Sequence, residues 1–235
     1  MKRVAILQSS YVPWKGYFDL IRQVDEFILY DDAQFTRRDW RNRNQIKTKD
    51  GLLWLTIPVQ VKGRFTQSVK DVTISDAAWG EKHFKTIAAA YARAPYFREY
   101  RELVEELYRG STSSRLSEVN RRFIDAFARL LGVRTKITWS MDYVLPEGRV
   151  ERLVALCQQA GADAYLSGPA AKDYIDPKPF ADAGIDLSYI DYSGYPEYPQ
   201  LYPPFTHHVS CLDLIFSVGP AAREYLERTG KPAVV

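Results

Sequence analysis

The stretch VAILQSSYVPWKGYFDLIRQVDEFILYDD, residues 4–32, decides the fold of this chain. It begins with a compact apolar run from Val4 to Leu7, which is typical of a strand buried on both faces of a parallel sheet. Apolar side chains at helical spacing follow between Lys15 and Val24, and a second apolar run covers Phe27 to Tyr30. A strand, a helix and a strand in this order predict a βαβ unit with a right-handed crossover.

The next part of the chain adds a hairpin and several helices to this unit. Residues 45–61 predict a small β-hairpin appendage, because Lys49-Asp50-Gly51 is a turn sequence and a strand-like run follows from Leu52 to Val61. Residues 76–131 predict a helical insertion, and Gly132 is placed to cap its last helix.

Strands and helices then alternate to the end of the chain. Residues 194–206 are rich in Pro and Tyr and predict an ordered surface loop or lid. The other predicted elements are strands at 135–140, 164–167 and 187–192 and helices at 150–160, 170–183, 209–216 and 221–228, of which the helix at 170–183 is interrupted by Pro177 and Pro179. We therefore predict an α/β, Rossmann-like fold, with a doubly wound and mostly parallel sheet, in a single domain over residues 1–235.

Composition narrows the class of protein. The chain has 235 residues, of which 46% are hydrophobic, and its 16 tyrosines suit either a ligand-binding cleft or a well-filled core. A net charge of +3 gives no support for a nucleic-acid-binding protein. The two cysteines have no metal-site or disulfide spacing, and no apolar stretch is long enough for a signal peptide or a membrane span. We expect a cytoplasmic protein without membrane insertion.

An ordered set of residues along the whole chain resembles one protein family. The set consists of Gln8, Tyr11, Pro13, Gly16-Tyr17-Phe18, Tyr30-Asp31-Asp32, Trp40, Arg43-Asn44, Thr56-Ile57-Pro58, Ala94-Pro95-Tyr96-Phe97, Tyr165-Leu166-Ser167-Gly168 and Ser210-Cys211-Leu212-Asp213. Together they resemble the WbqC-like protein family. The resemblance implies a bacterial protein that is often encoded among genes for O-antigen, lipopolysaccharide and other surface polysaccharides. It implies no particular reaction and no catalytic residue.

The first βαβ unit is also similar to the start of the nucleotidyltransferase α/β fold. In that superfamily a His-x-Gly-His motif opens the first helix and contacts the triphosphate. Here the corresponding run is Trp14-Lys15-Gly16-Tyr17, which lacks both histidines. The likeness implies a nucleotidyltransferase-like start of the fold, and it is an analogy of fold rather than of mechanism.

Polar residues follow the predicted strands at their carboxyl ends, where open α/β sheets bind ligands. Gln8 ends the first strand, Tyr11 lies in the loop after it, and Gly16 lets a ligand approach the backbone closely. Asp31 and Asp32 end the second strand and could bind a divalent cation, act as a base or hold ligand hydroxyls; the alternative is a turn cap and an ion pair. Neighbouring side chains on a strand point to opposite sides, so at most one of these two is expected to face the site.

A basic segment follows these two aspartates. Residues 36–49 carry six Lys or Arg side chains against one Asp. Arg41 and Arg43 have the planar fork that matches phosphate or carboxylate, Asn44 can bind hydroxyls, and Trp40 can stack on a sugar or a base. The alternative interpretation is a solvated basic loop.

The later part of the chain supplies the remaining candidates. Ser167 and Gly168 would present a helix N-terminus to an anion, and Lys172 lies one turn further on. His83 lies on a helix and is the candidate general base alongside Asp31. His207 and His208 are interpreted as loop-packing residues.

Taken with the pathway that the family resemblance implies, these residues lead us to expect a transferase that modifies a nucleotide-activated amino sugar in bacterial surface polysaccharide biosynthesis, by acyl or aminoacyl transfer. The alternatives are a nucleotidyltransferase-like enzyme and a non-enzymatic sugar-nucleotide or RNA-binding module. The expected partner is a nucleotide sugar or another phosphorylated small molecule rather than nucleic acid, and nothing indicates an oligomeric state. No cofactor is evident, and Asp31-Asp32 is the only pair of neighbouring carboxylates that suits a divalent cation.

Overall fold

The structure is a computed structural model that describes residues 1–227. Seven strands and seven α-helices make up this part of the chain. In chain order they are β1 (Arg3–Leu7), α1 (Lys15–Arg22), β2 (Glu26–Leu29), β3 (Arg43–Thr48), β4 (Gly51–Thr56), α2 (Trp79–Tyr91), α3 (Phe97–Arg109), α4 (Leu116–Leu130), β5 (Lys136–Trp139), α5 (Arg149–Gln159), β6 (Ala164–Ser167), α6 (Lys178–Asp182), β7 (Asp186–Tyr189) and α7 (Cys211–Val218). Short 3₁₀ helices lie at Val69–Asp71, Ser140–Asp142, Pro169–Asp173 and Gly219–Leu226.

Five of the strands form a parallel sheet in the order β5-β2-β1-β6-β7, and β3 and β4 form a separate antiparallel hairpin. This confirms the predicted doubly wound α/β fold with a small hairpin. The chain winds outward from β1 to one edge of the sheet and then returns to wind to the other edge. The point of reversal lies between β1 and β6, which is where such sheets open a ligand crevice.

The pairing of β1 with β6 is short. Only Arg3 with Ala164 and Val4 with Tyr165 are in register, whereas β1 follows β2 as far as Leu7 opposite Leu29. The ladder between the two central strands therefore ends before their carboxyl ends. This places a gap in the sheet at the predicted ligand-binding edge.

Two hydrophobic cores cover the two faces of the sheet. Successive side chains on a strand point to opposite faces, so Phe27 enters one core and Ile28 the other. The larger core is built with α1, α2, α3, α4 and α7, and the smaller core with α5 and α6. Phe123 of α4 is fully buried in the same core as Phe27, so this predicted insertion helix is part of the crossover between β2 and β5. Gly132 ends that helix with a φ of 67°, as predicted.

The strands predicted to end at Val61 and Tyr192 end earlier in the structure. The strand predicted to reach Val61 ends at Thr56, because Pro58 has no N–H for a ladder and Ile57 bonds instead to the Asn42 carbonyl at 2.8 Å. The strand predicted over 187–192 ends at Tyr189.

The predicted interruption of the helix over 170–183 is confirmed, since the segment forms two separate pieces, a 3₁₀ helix at Pro169–Asp173 and α6. Pro177 interrupts it, since proline cannot donate to the preceding turn and disfavours helical backbone at the residue before it. The helix predicted over 221–228 is a 3₁₀ helix that ends at Leu226, and Arg228 lies outside the described residues. Within residues 1–227, no helix combines the length and the apolar composition that crossing a membrane requires.

Candidate functional site

A cleft of about 1170 Å³ opens at the carboxyl ends of β1 and β6. Gln8 follows β1 and Ser167 ends β6, and both border this cleft together with Gly168. The gap between the two central strands thus becomes the floor of the site. Of the other residues predicted to bind a ligand, Asp32, Trp40, Arg41 and Asn44 also line the cleft.

Three arginines reach the cleft from two different parts of the fold. Arg41 comes from the loop after β2, and Arg149 and Arg152 come from the first turns of α5. Arg41 is 7% exposed, its Nη1 donates to Oε1 of Gln8 at 2.9 Å, and its buried Nε has no partner among the described residues. The Arg149 guanidinium lies 4.6 Å from the ring centroid of Tyr174 on the cleft wall. Forked cationic donors next to a helix N-terminus suit a phosphate group.

Two carboxylates stand among these cations. Asp32 accepts a hydrogen bond from Lys70 Nζ at 2.5 Å and from Ser140 Oγ at 2.7 Å. Asp39 accepts hydrogen bonds from Thr36 Oγ1 at 2.5 Å and from its neighbour's backbone N–H. No group of three metal-binding side chains occurs within residues 1–227. Since Lys70 and Ser140 already occupy its oxygens, Asp32 is better suited to accept a ligand hydroxyl than to bind a cation.

Asp31 points away from the cleft, so only one of the two adjacent aspartates faces it. The Asp31 side chain is fully buried, accepts from Ser9 N–H at 2.8 Å and from the Ser117 hydroxyl, and does not border the cleft. Burial raises the pKa of its carboxyl. These contacts join the loop after β1 to α4, so the position of Asp31 supports a structural role more than the predicted catalytic one.

His83 also lies outside the cleft. Its Nδ1 is 2.8 Å from the Tyr11 hydroxyl, and its Nε2 is 3.2 Å from the Thr56 carbonyl oxygen. The Tyr11 hydroxyl also contacts the Tyr108 hydroxyl at 2.8 Å. Burial lowers the pKa of His83 to about 4, which keeps the imidazole neutral at pH 7. The structure therefore places His83 and Tyr11 in a buried network that joins α2, α3 and the hairpin.

Three further predicted ligand contacts have other neighbours. A methyl group on Gly16 would lie 2.3 Å from the Trp14 ring, so this glycine makes room for an indole that lines the cleft. The Arg43 guanidinium stacks 4.0 Å from the ring centroid of Trp54, and Lys172 Nζ lies 5.3 Å from that of Tyr189; neither basic side chain borders the cleft.

Asn44 supports the loop that carries Trp14. Its Nδ2 donates to the carbonyl oxygens of Tyr11, at 3.2 Å, and Val12, at 2.8 Å. Val12 has a φ of 35°, which is strained for a β-branched residue. The amide of Asn44 holds this strained turn in place at the edge of the cleft.

Comparison with known proteins shows which family this chain belongs to. The sequence model of the WbqC-like protein family matches residues 8–225. The chain belongs to the WbqC-like protein family. It is 48% identical over 226 residues to the Uncharacterized protein Rv1507c of Mycobacterium tuberculosis (strain ATCC 25618 / H37Rv), which covers 96% of this chain and 98% of that relative. No solved structure matches it significantly.

Sequence reasoning missed several residues of the cleft in this WbqC-like protein. The sequence does contain a signal for Arg149 and Arg152. Basic side chains at the start of a helix interact unfavourably with the helix dipole, so their presence there indicates a role other than stabilising the helix. His208 was interpreted as a packing residue. Its ring stacks on Trp14 with centroids 6.3 Å apart, and it lines the cleft. Tyr192 forms the same wall.

The loop at 194–206, predicted as an ordered surface loop or lid, contacts the rest of the domain through buried side chains. Lys15 is almost fully buried and donates to the Pro196 carbonyl at 2.9 Å, between the rings of Tyr195 and Tyr198. Burial lowers the pKa of Lys15 to about 8. The Tyr198 hydroxyl donates to the buried Asp213 at 2.9 Å. Buried charges on both sides thus hold the loop against the domain and position Tyr192 and His208.

Proposed function

We propose that this protein is a transferase that binds a nucleotide-activated sugar in the cleft at the carboxyl ends of β1 and β6 and transfers an acyl or aminoacyl group to it. The observation that carries the proposal is that Arg41, Arg149 and Arg152 all line one cleft at the carboxyl edge of a parallel sheet. Three guanidinium groups suit a diphosphate, which carries several oxygens in different directions.

The other cleft residues suit the neutral parts of such a ligand. The aromatic rings of Trp14, Tyr174 and Tyr192 offer stacking surfaces for a base or a sugar. Asp32 and Asp39 repel phosphate but accept hydrogen bonds from hydroxyl or amino groups. A charged end and a polar, aromatic end together match a nucleotide sugar.

The size of the cleft favours a reaction between two substrates over simple binding. Its volume of about 1170 Å³ exceeds the range of about 300–1,000 Å³ that is usual for a site holding one small molecule. His208 is the histidine that borders the cleft, and we assign it the role of general base. It would take a proton from the sugar amine as the amine nitrogen bonds to the acyl carbon. The bond from that carbon to the leaving group of the donor then breaks, and the leaving group departs with the electron pair.

Calorimetry tests the binding half of the proposal. UDP-, dTDP- and GDP-sugars are compared with the corresponding nucleosides, which should bind at least about tenfold more weakly because they lack charge-assisted hydrogen bonds. Arg152→Ala should lower the affinity for the nucleotide sugar that binds most tightly, and Arg152→Lys should restore part of that affinity. Arg98→Ala, an exposed arginine on α3 away from the cleft, is the matched control. Equal affinity for nucleoside and nucleotide sugar would refute the phosphate site.

Mass spectrometry tests the chemical half. The protein is incubated with amino-sugar nucleotides and acyl or aminoacyl donors, and the mass of the sugar nucleotide is followed. His208→Ala should abolish the mass increase and leave binding of the sugar nucleotide intact. Tight binding without any mass change in the wild-type protein would favour the non-enzymatic binding module.

A further inference from the structure

Half of the large hydrophobic side chains exposed within residues 1–227 belong to the hairpin and the loops next to it in sequence. Of the ten large exposed hydrophobic residues within residues 1–227, five lie between positions 40 and 65. We call these five the hairpin surface: Trp40, Leu52, Leu53, Trp54 and Phe65. Exposed apolar residues that cluster in this way mark an interaction site more often than scattered ones do.

Contacts within the chain hold the parts of the hairpin surface together. The rings of Trp40 and Trp54 lie 5.3 Å apart, which joins the loop after β2 to strand β4. Arg37 stacks 5.2 Å from the ring of Phe65 and donates to the Val61 carbonyl at 2.6 Å, which joins the same loop to the segment after the hairpin. These contacts link Trp40, Trp54 and Phe65 across three segments, and Leu52 and Leu53 lie on opposite faces of β4 beside the hairpin turn.

The segments that carry the hairpin surface are rich in exposed positive charge. Within residues 37–65, five exposed basic side chains oppose the one exposed carboxylate of Asp50: Arg37, Arg38, Lys49, Lys62 and Arg64. None of the five forms an ion pair with a carboxylate among the described residues. Basic side chains on the helices often do form ion pairs, as Lys85 does with Glu81 and Lys178 with Asp182. The unpaired cations on this side create a field that favours an anionic partner.

We infer that the hairpin surface docks this protein on the surface of an anionic lipid bilayer. A second copy of the chain is disfavoured, because it would bring two sets of unpaired cations together. The aliphatic side chains Leu52 and Leu53 and the loop-tip Phe65 suit the boundary between headgroups and acyl chains. Tryptophan is enriched at that boundary, and each nearby Lys or Arg adds attraction to anionic lipids.

Docking in this way orients the cleft. Trp40 belongs to the hairpin surface and also lines the cleft, so the mouth of the cleft would lie at the level of the lipid headgroups. A second substrate carried by a membrane lipid would reach the cleft from the bilayer. The inference concerns location and does not depend on the proposed reaction.

Vesicle flotation tests the inference with the full-length protein. It should float with vesicles of phosphatidylglycerol and phosphatidylcholine in equal parts, and at least about tenfold less with pure phosphatidylcholine. Salt at about 0.5 M should reduce the bound fraction strongly, because it screens exposed charges. Tryptophan fluorescence should shift to the blue on binding, since Trp40 and Trp54 leave water.

Matched variants distinguish binding through the hairpin surface from nonspecific adsorption to vesicles. Leu52→Ser combined with Phe65→Ser should reduce binding to anionic vesicles about tenfold, and Lys62→Glu combined with Arg64→Glu should reduce it at least as much. The control pair Met141→Ser and Val144→Ser removes exposed apolar side chains elsewhere and should bind like wild type. Equal flotation of all these proteins would overturn the inference. So would salt-sensitive binding of single-stranded RNA without any binding to anionic vesicles.

Discussion

Nη1 of Arg41 donates a hydrogen bond to Oε1 of Gln8 at 2.9 Å. The two side chains come from the loops after the neighbouring strands β2 and β1, and they meet at the floor of the cleft. Gln8 thereby fixes the direction of a guanidinium that is almost fully buried and whose Nε is unpartnered among the described residues. A buried cation held in this way is ready to receive an anionic ligand without reorganisation.

Replacing Gln8 should therefore affect ligand binding and stability together. We expect Gln8→Leu to weaken the affinity for a nucleotide sugar by about 1–3 kcal/mol and to lower the free energy of unfolding by a similar amount, because it leaves Arg41 with an unsatisfied buried donor. Calorimetry and urea denaturation measure the two effects. Gln158→Leu, at an exposed position on α5, is the control and should change neither. An unaltered affinity in Gln8→Leu would show that Arg41 needs no partner to bind the ligand.

Gly16→Ala should destabilise the protein and distort the cleft wall. The added methyl group would lie 2.3 Å from the Trp14 ring, which must move. Overpacking of this kind costs about 1–3 kcal/mol. The matched control is Gly168→Ala, where a methyl group would meet no described atom within 4 Å and the melting temperature should stay unchanged. Thermal denaturation of both variants decides the matter, and equal melting temperatures would contradict the tight packing of Trp14.

Arg43 should contribute little to binding in the cleft, in contrast to the role predicted from sequence. Its guanidinium stacks on Trp54 and does not border the cleft. We expect Arg43→Ala to change the affinity for a nucleotide sugar by less than about 0.5 kcal/mol, and to reduce stability by about 0.5–1 kcal/mol through loss of the cation–π contact. Titration calorimetry measures the affinity. A loss of binding free energy above about 1 kcal/mol would show that Arg43 contacts the ligand.

Glu26 should make stability fall in acid. Burial alone would raise the pKa of its carboxyl, but hydrogen bonds from Lys2, Tyr143, Lys136 and Thr138 lower it to about 2 from an ordinary value of 4.5. Because the pKa is lower in the folded protein than in the unfolded chain, the contribution of Glu26 is complete above pH 4.5 and is lost as the pH falls toward 2.

Comparison with Glu26→Gln isolates this contribution. At pH 6 the variant should be less stable than wild type by about 1–3 kcal/mol, a range that allows for the solvent around Lys2 and Lys136. The difference should shrink between pH 4.5 and pH 3 in urea denaturation. A difference that stays constant over this interval would assign the effect to packing instead of charge.

His83 should titrate far below an ordinary histidine. Burial lowers its pKa to about 4, whereas in the unfolded chain it is 6.5. The folded protein thus binds fewer protons in this interval, and the stability associated with neutral His83 is lost as the pH falls from 6.5 to 4. Nuclear magnetic resonance of the imidazole should give a midpoint near 4. His83→Phe should leave nucleotide-sugar affinity intact, and a midpoint near 6.5 would show that the ring is not buried.

The sequence by itself determined the type and order of the main strands, helices and turns of this protein. The apolar run at Val4–Leu7 and the turn at Lys49-Asp50-Gly51 act through neighbouring residues, so their conformations follow from local backbone preferences and periodicity. Gly132 ends α4 for the same local reason, since it takes a positive φ at little cost. The carboxyl edge of a parallel sheet as the place of the ligand site follows from these elements once their order is known.

Only the tertiary structure decided which side chains form the site. Asp31 and Asp32 are neighbours in the chain, but they lie in the turn after β2, where one side chain enters the core and the other reaches the cleft. Arg152 joins Arg41 because the strand order brings α5 beside the loop after β2. His83 lies in the core and His208 lines the cleft because burial depends on the packing of helices and loops that are distant in sequence. Periodicity within one element carries no information about such contacts, which form only when the whole chain packs.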